Sequence, residues 1–143
     1  MKLCTRSRYG IRLLLDMARH NGSNPIQLGE VAKRQNLPLK YLEQILIPLK
    51  KAHYVNSVRG RKGGHMLAKP AEEITVGEIV ALLENGSSLV DCSNGDTACN
   101  RSEVCPVRLV WQEASEALFE VLNNVTFADL AQRIEVLETI MAD

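Results

Sequence analysis

The chain has 143 residues, 45% of them hydrophobic and 24% charged, with 17 Lys and Arg balanced by 17 Asp and Glu. That length suits one well-buried domain, and the composition is that of an ordinary soluble protein. The longest purely apolar run, Ile79 to Leu83, is far short of the ~20 residues that cross a bilayer, and Met1 to Arg8 open no apolar signal core. A cytoplasmic protein with no membrane partner is expected.

The zero net charge hides a split. Residues 1–70 hold 14 Lys and Arg against Asp16, Glu30 and Glu43, a net +11; residues 71–143 hold Arg101, Arg108 and Arg133 against 14 acids, a net −11. A basic block attracts phosphate whatever the total charge. It can equally be solvated surface, or half of an internal dipole neutralised by docking. The basic half therefore has to show a binding architecture.

In chain order, Ile11, Leu14, Leu15 and Ala18 recur at helical spacing, so 5–20 reads as an amphipathic helix ended by Asn21 to Pro25. Leu28, Val31 and Ala32 mark a short helix over 28–35, and Asn36-Leu37 a tight turn. Pro38 suits the first position of a third helix, in which Leu42, Ile45, Leu46 and Leu49 face inward and Pro48 kinks or ends the last turn. Residues 54–58 and 64–69 read as a hairpin whose connection, Arg59 to Gly64, joins turn glycines to three positive charges. Thr75 to Glu78 is a capping box opening a helix with Val76, Ile79, Val80 and Leu83 on one face. Residues 86–105 read as an irregular loop carrying three of the four cysteines. Val107, Val110, Trp111, Ala114, Leu118, Val121 and Leu122 define a longer helix. Thr126 to Asp129 then caps a last one, with Leu130, Ala131, Ile134 and Leu137 inward. The expected fold is mainly α with a small β-hairpin wing.

Helix, short helix, turn, helix and hairpin is the order of a winged helix-turn-helix, a reader of double-stranded DNA. On the outer face of the third helix stand Lys40, Glu43 and Gln44. Gln pairs with adenine, Glu accepts from cytosine, and Lys meets phosphate or guanine. Arg59, Arg61 and Lys62 at the hairpin tip suit a narrow minor groove. Each group could also be plain solvent-facing surface; the element order and the charge together favour DNA.

Cys92, Cys99 and Cys105 are spaced C-x6-C-x5-C. Structural zinc sites bring a closer pair, and a disulfide is disfavoured by the odd count in a cytoplasmic chain. Three thiolates on one polar loop suit an iron–sulfur cluster, with redox-sensing or merely exposed thiols as the alternatives. His20, His53 and His65 have no ligand spacing to these cysteines; His20 and His53 follow helix ends, and His65 adjoins the wing, where it could meet phosphate. No Walker, dinucleotide or G-x-S-x-G motif is present, so no enzyme and no small-molecule substrate is expected.

The sequence resembles the IscR- and NsrR-type bacterial transcription regulators, the Rrf2 family, over essentially its whole length. The resemblance rests on Arg8-Tyr9-Gly10, Lys40 to Gln44, Ser57 to Gly60 with Lys62 to Gly64, the loop opening Val90-Asp91-Cys92, and Asn123 to Leu130. It implies a homodimeric winged-helix regulator, a repressor by analogy, that binds a pseudo-palindromic operator, with a dimerisation helix over 106–123. Residues 1–85 would be the DNA-binding region, 86–105 the cluster loop, and 106–143 the dimerisation and C-terminal helices. Glu43 and Gln44 would enter the major groove and Arg59 the minor groove, with Arg8 counted among the DNA-binding residues.

The resemblance also implies that Cys92, Cys99 and Cys105 hold a [2Fe-2S] or [4Fe-4S] cluster sensing iron–sulfur status, oxygen or redox state, or nitric oxide. Two departures stand out. The first cysteine gap is six residues, where five is common, and the histidine that completes the site in IscR-like members is replaced by Arg108, which cannot ligate iron. Cys4, where Thr is usual, is a candidate fourth ligand from the other subunit. The alternatives are a cluster-free member sensing thiol oxidation or a protein partner and, from other classes, an iron–sulfur electron carrier or a zinc-stabilised adaptor.

Overall fold

The computed structural model describes residues 2–20, 22, 24–93, 99, 101 and 103–142. In order these form α1 (Thr5–His20), α2 (Leu28–Gln35), α3 (Leu39–Lys51), β1 (Val55–Val58), β2 (Gly64–Leu67), α4 (Val76–Glu84), α5 (Pro106–Asn123) and α6 (Phe127–Ala142). Short 3-10 turns lie at Ala71–Glu73 and Asp91–Ser93. The expected terminators Asn21 and Ser23, and Asn94 to Thr97 with Ala98, Asn100 and Ser102 of the cysteine loop, lie outside the described residues.

The core gathers Leu13, Leu14 and Met17 of α1 with Leu42, Ile45 and Leu49 of α3, Ile79 and Leu83 of α4, and Phe127 of α6. The buried stripe of α1 therefore runs through Gly10, Leu13, Leu14 and Met17, while Ile11, Leu15 and Ala18 flank it half-buried. Gly10 permits this: a Cβ there would stand 2.3 Å from Leu83 Cδ1, so α1 and α4 cross closely enough that Leu83 would have to shift to admit a methyl.

Pro38 does not occupy the first turn of α3. It is the residue before it, extended at ψ 123°, and its carbonyl accepts the Tyr41 and Leu42 N–H groups at 3.1 Å each. The turn is made upstream by Asn36 in the left-handed region, φ 51°, a conformation Asn tolerates. Pro48 does not stop α3 at once; the helix runs one turn past it to Lys51. Both strands are shorter than the hairpin pattern suggests, because Tyr54 N–H turns back to Leu49 and the Tyr54 carbonyl closes the ladder on Ala68 N–H. The strands pair antiparallel from Val55↔Leu67 to Val58↔Gly64, and Ile26 adds a bridge on the far side of His65.

The capping box at Thr75 forms as expected: Thr75 Oγ1 accepts Glu78 N–H at 3.2 Å and Glu78 returns the bond to Thr75 N–H at 2.9 Å. The box at Thr126 and Asp129 forms likewise. Phe127, fully buried, roots α6 in the core, and Arg19 binds Glu138 at 2.8 Å farther along. Leu130, Ala131 and Ile134 are only half-buried, and Leu137 faces outward at 57% exposure, against the inward expectation.

On α5 the one fully buried residue is Ser115, and Val107, Val110, Trp111 and Val121 are exposed. The chain exposes 9580 Å², whereas a compact monomer of this mass exposes about 7,400 Å². Among the described residues most of the exposed large apolar side chains lie on α5 and α6. Among the described residues no helix is long and apolar enough to cross a membrane.

Candidate DNA-binding face and cysteine loop

The angle between α1 and α2 is held by a buried carboxylate. Asp16, 1% exposed, receives Arg34 Nη2 at 2.6 Å, Arg34 Nε at 3.1 Å and Gln35 Nε2 at 3.0 Å. Burial alone would raise its pKa, but these hydrogen bonds and the charges of Arg34 and His20 outweigh it and hold the carboxyl below its ordinary range. Sequence pattern did not reveal this tie, since Asp16 lies on α1 and Arg34 and Gln35 on α2.

Burial of Leu42, Ile45, Leu46 and Leu49 fixes the rotation of α3, leaving Lys40, Glu43 and Gln44 on its exposed side. Arg59, Arg61 and Lys62 are exposed at the wing tip. The wing is short because its glycines let backbones touch: a Cβ on Gly63 would stand 2.2 Å from the Val58 carbonyl oxygen, and one on Gly64 2.6 Å from that of Ile26. Gln27 donates its side-chain amide to the Gly63 carbonyl, tying the wing to the start of α2. Glu43 and His65 line one cavity, so the reading side of α3 adjoins the wing base. Arg8 is exposed on α1, with Nη2 3.2 Å from Thr5 Oγ1. Tyr41 stacks edge-on against Tyr9, centroids 5.6 Å apart, which gives it a packing role between α1 and α3.

All four thiols are unpaired and half-buried. Cys92 lies in the turn Asp91–Ser93, and Cys105 caps α5, whose first turn carries Arg108. Among the described residues no three Cys, His, Asp or Glu side chains converge as in a formed metal site. Cys4 precedes α1, and its Sγ accepts the Ser7 N–H at 3.4 Å. Its own N–H reaches Glu84 Oε1 at 2.8 Å, where Ser7 Oγ also donates at 2.5 Å. Burial opposes ionisation of Glu84, but these hydrogen bonds and the nearby Arg6 charge lower its pKa overall. Arg6 Nε meanwhile donates to the Leu83 carbonyl at 2.9 Å. The end of α4, from which the cysteine loop departs, is thus bound to the start of α1. Farther on, Ser115 Oγ accepts Leu89 N–H at 3.0 Å and donates to the Trp111 carbonyl at 2.7 Å, fastening the loop entrance to α5.

Residues 3–133 match the model of the Rrf2 family, described as an iron-dependent transcriptional regulator. The chain belongs to the Rrf2 family. It is 45% identical over 130 residues to the protein rrf2 of Nitratidesulfovibrio vulgaris, covering 91% of this chain and 87% of that relative. Among solved structures, IscR of T. potens superposes with a TM-score of 0.76 at 35% identity, covering 94% of this chain and 88% of that one. CymR, the global cysteine regulator of B. subtilis, does so with a TM-score of 0.76 at 33% identity, covering 93% and 98%. The Rrf2 chain described here is accordingly a winged-helix transcription regulator, and its two-stranded wing and helix order are those of its relatives.

Proposed function

We propose that this Rrf2 regulator binds its operator as a homodimer and that an iron–sulfur cluster on Cys92, Cys99 and Cys105 sets its DNA affinity. The observation that carries the reading is the anchorage of the cysteine loop. Its entrance is bonded to α1 through Glu84, Cys4 and Ser7, and to α5 through Leu89 and Ser115. A change in the loop therefore acts on the DNA-reading half (1–85) and the dimer half (106–143) together, as a population shift coupled to DNA affinity.

The donor chemistry fits a cluster: three unpaired thiols in one loop, one of them at the N-terminus of α5, where the helix dipole favours negative charge. Among the described residues no metal-holding group is already formed. Arg108 leaves the fourth position to another group, and Cys4 of the second subunit is assigned to it. In this chain its thiol caps α1, so ligation would exchange that contact for iron. If Cys4→Ser leaves the cluster's spectrum and stability unchanged, that assignment fails.

The exposed stripe of α5 supports the dimer. Lys40, Glu43 and Gln44 would read the major groove, with Arg59, Arg61 and Lys62 in the minor groove and Arg8 on the backbone. The free thiols and the likeness to CymR, of which an oxidized form is among the similar solved structures, favour a second reading, a cluster-free regulator that responds to thiol oxidation. Absorption and electron paramagnetic resonance of anaerobically purified protein separate the two. Iron with thiolate-to-iron absorption supports the cluster. Colourless protein whose DNA affinity changes on mild oxidation supports the thiols. Equal affinity of cluster-loaded and cluster-free protein for every operator sinks the cluster switch.

A further inference from the structure

An open cavity of about 440 Å³ lies between the start of α2, the outer side of α3 and strand β2, with Gln27, Gly29, Glu43, Ile47, Lys50 and His65 among its walls. Its charge is graded. Glu43 and Lys50 are seven positions apart on α3, about 10 Å along the axis, so the acid marks one end and the cation the other.

His65 is preorganised on the wing side. Its N–H donates to the Ile26 carbonyl at 2.8 Å, and its carbonyl accepts Ile26 N–H at 2.9 Å. With its backbone bonded to Ile26, His65 faces Ser57 as a non-hydrogen-bonded cross-strand pair, the kind in which side chains stand closest, and Ser57 Oγ lies 3.1 Å from Nδ1. With Nδ1 so engaged, Nε2 is the nitrogen left for a ligand. Burial and the charge of Lys50 hold this imidazole below its ordinary range, so it is neutral near pH 7. The charged groups around it are Lys50 and, farther along α3, Glu43; Glu30 of α2 turns to Arg34 at 3.9 Å instead. A Cβ on Gly29 would meet nothing within 4 Å, so a ligand backbone can approach closely there.

With α3 in the major groove and the wing in the minor groove, as proposed above, a phosphate strand would pass between these two elements, and the cavity lies between α3 and the base of the wing. We infer that the cavity seats a backbone phosphate of the operator between Lys50 and His65 Nε2, and that His65 takes up a proton as the phosphate binds. The inference rests on the DNA-binding reading. Glu43 stays at the base-reading end, away from the anion. An anion beside an imidazole favours its charged form, so operator affinity rises as pH falls. A rise of one unit in the imidazole pKa on binding corresponds to about a tenfold gain per seat.

The test uses full-length protein and a duplex enriched by it from a randomised pool. Affinity is measured by fluorescence anisotropy at about pH 6 and about pH 8 at constant ionic strength, for wild type, His65→Gln and Lys50→Gln. The His65 resonances of the wild type are titrated with and without the duplex. Wild type should bind several-fold tighter at the lower pH. His65→Gln should lose most of that difference, its affinity falling more at the lower pH than at the higher, and Lys50→Gln should bind several-fold weaker at both. His20 and His53 contribute equally to wild type and His65→Gln, so the comparison isolates His65. Undiminished pH dependence in His65→Gln, or a His65 titration that the duplex leaves unmoved, overturns the inference; the second readout holds even if the variant does not fold. A pool yielding no enriched duplex refutes DNA binding itself.

Discussion

Asp16→Asn replaces a buried carboxylate with an amide of the same shape. Both carboxylate oxygens of Asp16 accept from Arg34, so whichever way the amide turns, its NH₂ meets a guanidinium donor. Gln35 donates to Oδ1 as well, at 3.0 Å. Breaking one side of a buried ion pair costs about 3–5 kcal/mol where the surviving charge stays buried. Arg34 is 35% exposed and can swing into water, which lowers the expected cost to about 2–3 kcal/mol.

With a urea slope near 2 kcal/mol/M, that loss moves the unfolding midpoint down by about 1 M at neutral pH. The sign with pH follows from the lowered pKa of Asp16, ordinarily 3.8. A carboxyl whose folded pKa is depressed stabilises the fold above its unfolded value and loses that contribution as pH falls through the folded value. The gap between wild type and variant should therefore be full at pH 7 and shrink below about pH 4. Urea melts at one fixed protein concentration, followed by circular dichroism, measure it. A gap that is absent at neutral pH, or just as large in acid, refutes the assignment of this energy to the charged carboxylate.

Gly10→Ala places a methyl 2.3 Å from Leu83 Cδ1; such overpacking costs about 1–3 kcal/mol, which thermal unfolding should show as a fall in Tm of about 3–9 °C. Arg59→Ala should weaken operator binding and change base preference at one position. Lys62→Ala should weaken all duplexes alike and reduce the salt slope by about one, as anisotropy at several salt concentrations reads out. Equal, sequence-blind losses in both would remove the wing assignment. Val110→Glu puts a carboxylate twice into the proposed α5 interface; losing the burial of two valines, each 55% exposed in the single chain, costs about 3 kcal/mol, a weakening of dimerisation by about 100-fold or more in analytical ultracentrifugation. A variant that stays dimeric would move the interface off this stripe.

The helices from α1 to α4 were legible because their signals are local: a 3.6-residue apolar period, an Asn at a left-handed turn, a Thr-x-x-Glu box. Two kinds of information were not. Polar ties such as Asp16 to Arg34, Cys4 to Glu84 and Leu89 to Ser115 join residues with no periodic relation, so only the packed chain reveals them. An apolar period also says that a face wants burial without saying against what. The stripe of α4 is buried in its own chain, whereas that of α5 is not, and Leu137 of α6, matching the same template, points outward. The cysteine spacing named a chemistry but not a geometry: Cys92, Cys99 and Cys105 read as ligands, and among the described residues no three ligating side chains form a metal-holding group.

The charge split can now be given a physical meaning. Were it an internal dipole cancelled by docking, ion pairs would cross the boundary near residue 70. Among the described residues one salt bridge does, Arg19 to Glu138, while Asp16 and Glu30 spend their charge on Arg34 within the basic half. Nearly all the charge of each sign therefore remains at the surface. On the basic half it is available to phosphate, and salt must weaken that association. On the acidic half Glu113, Glu116 and Glu120 stand exposed beside the apolar stripe of α5, so two copies brought together there repel electrostatically, and salt must relieve the repulsion. Two assemblies of one neutral chain should respond to ionic strength with opposite signs. Operator affinity measured against salt would then contain both, and its slope would count phosphates correctly only at protein concentrations where the proposed dimer is already complete.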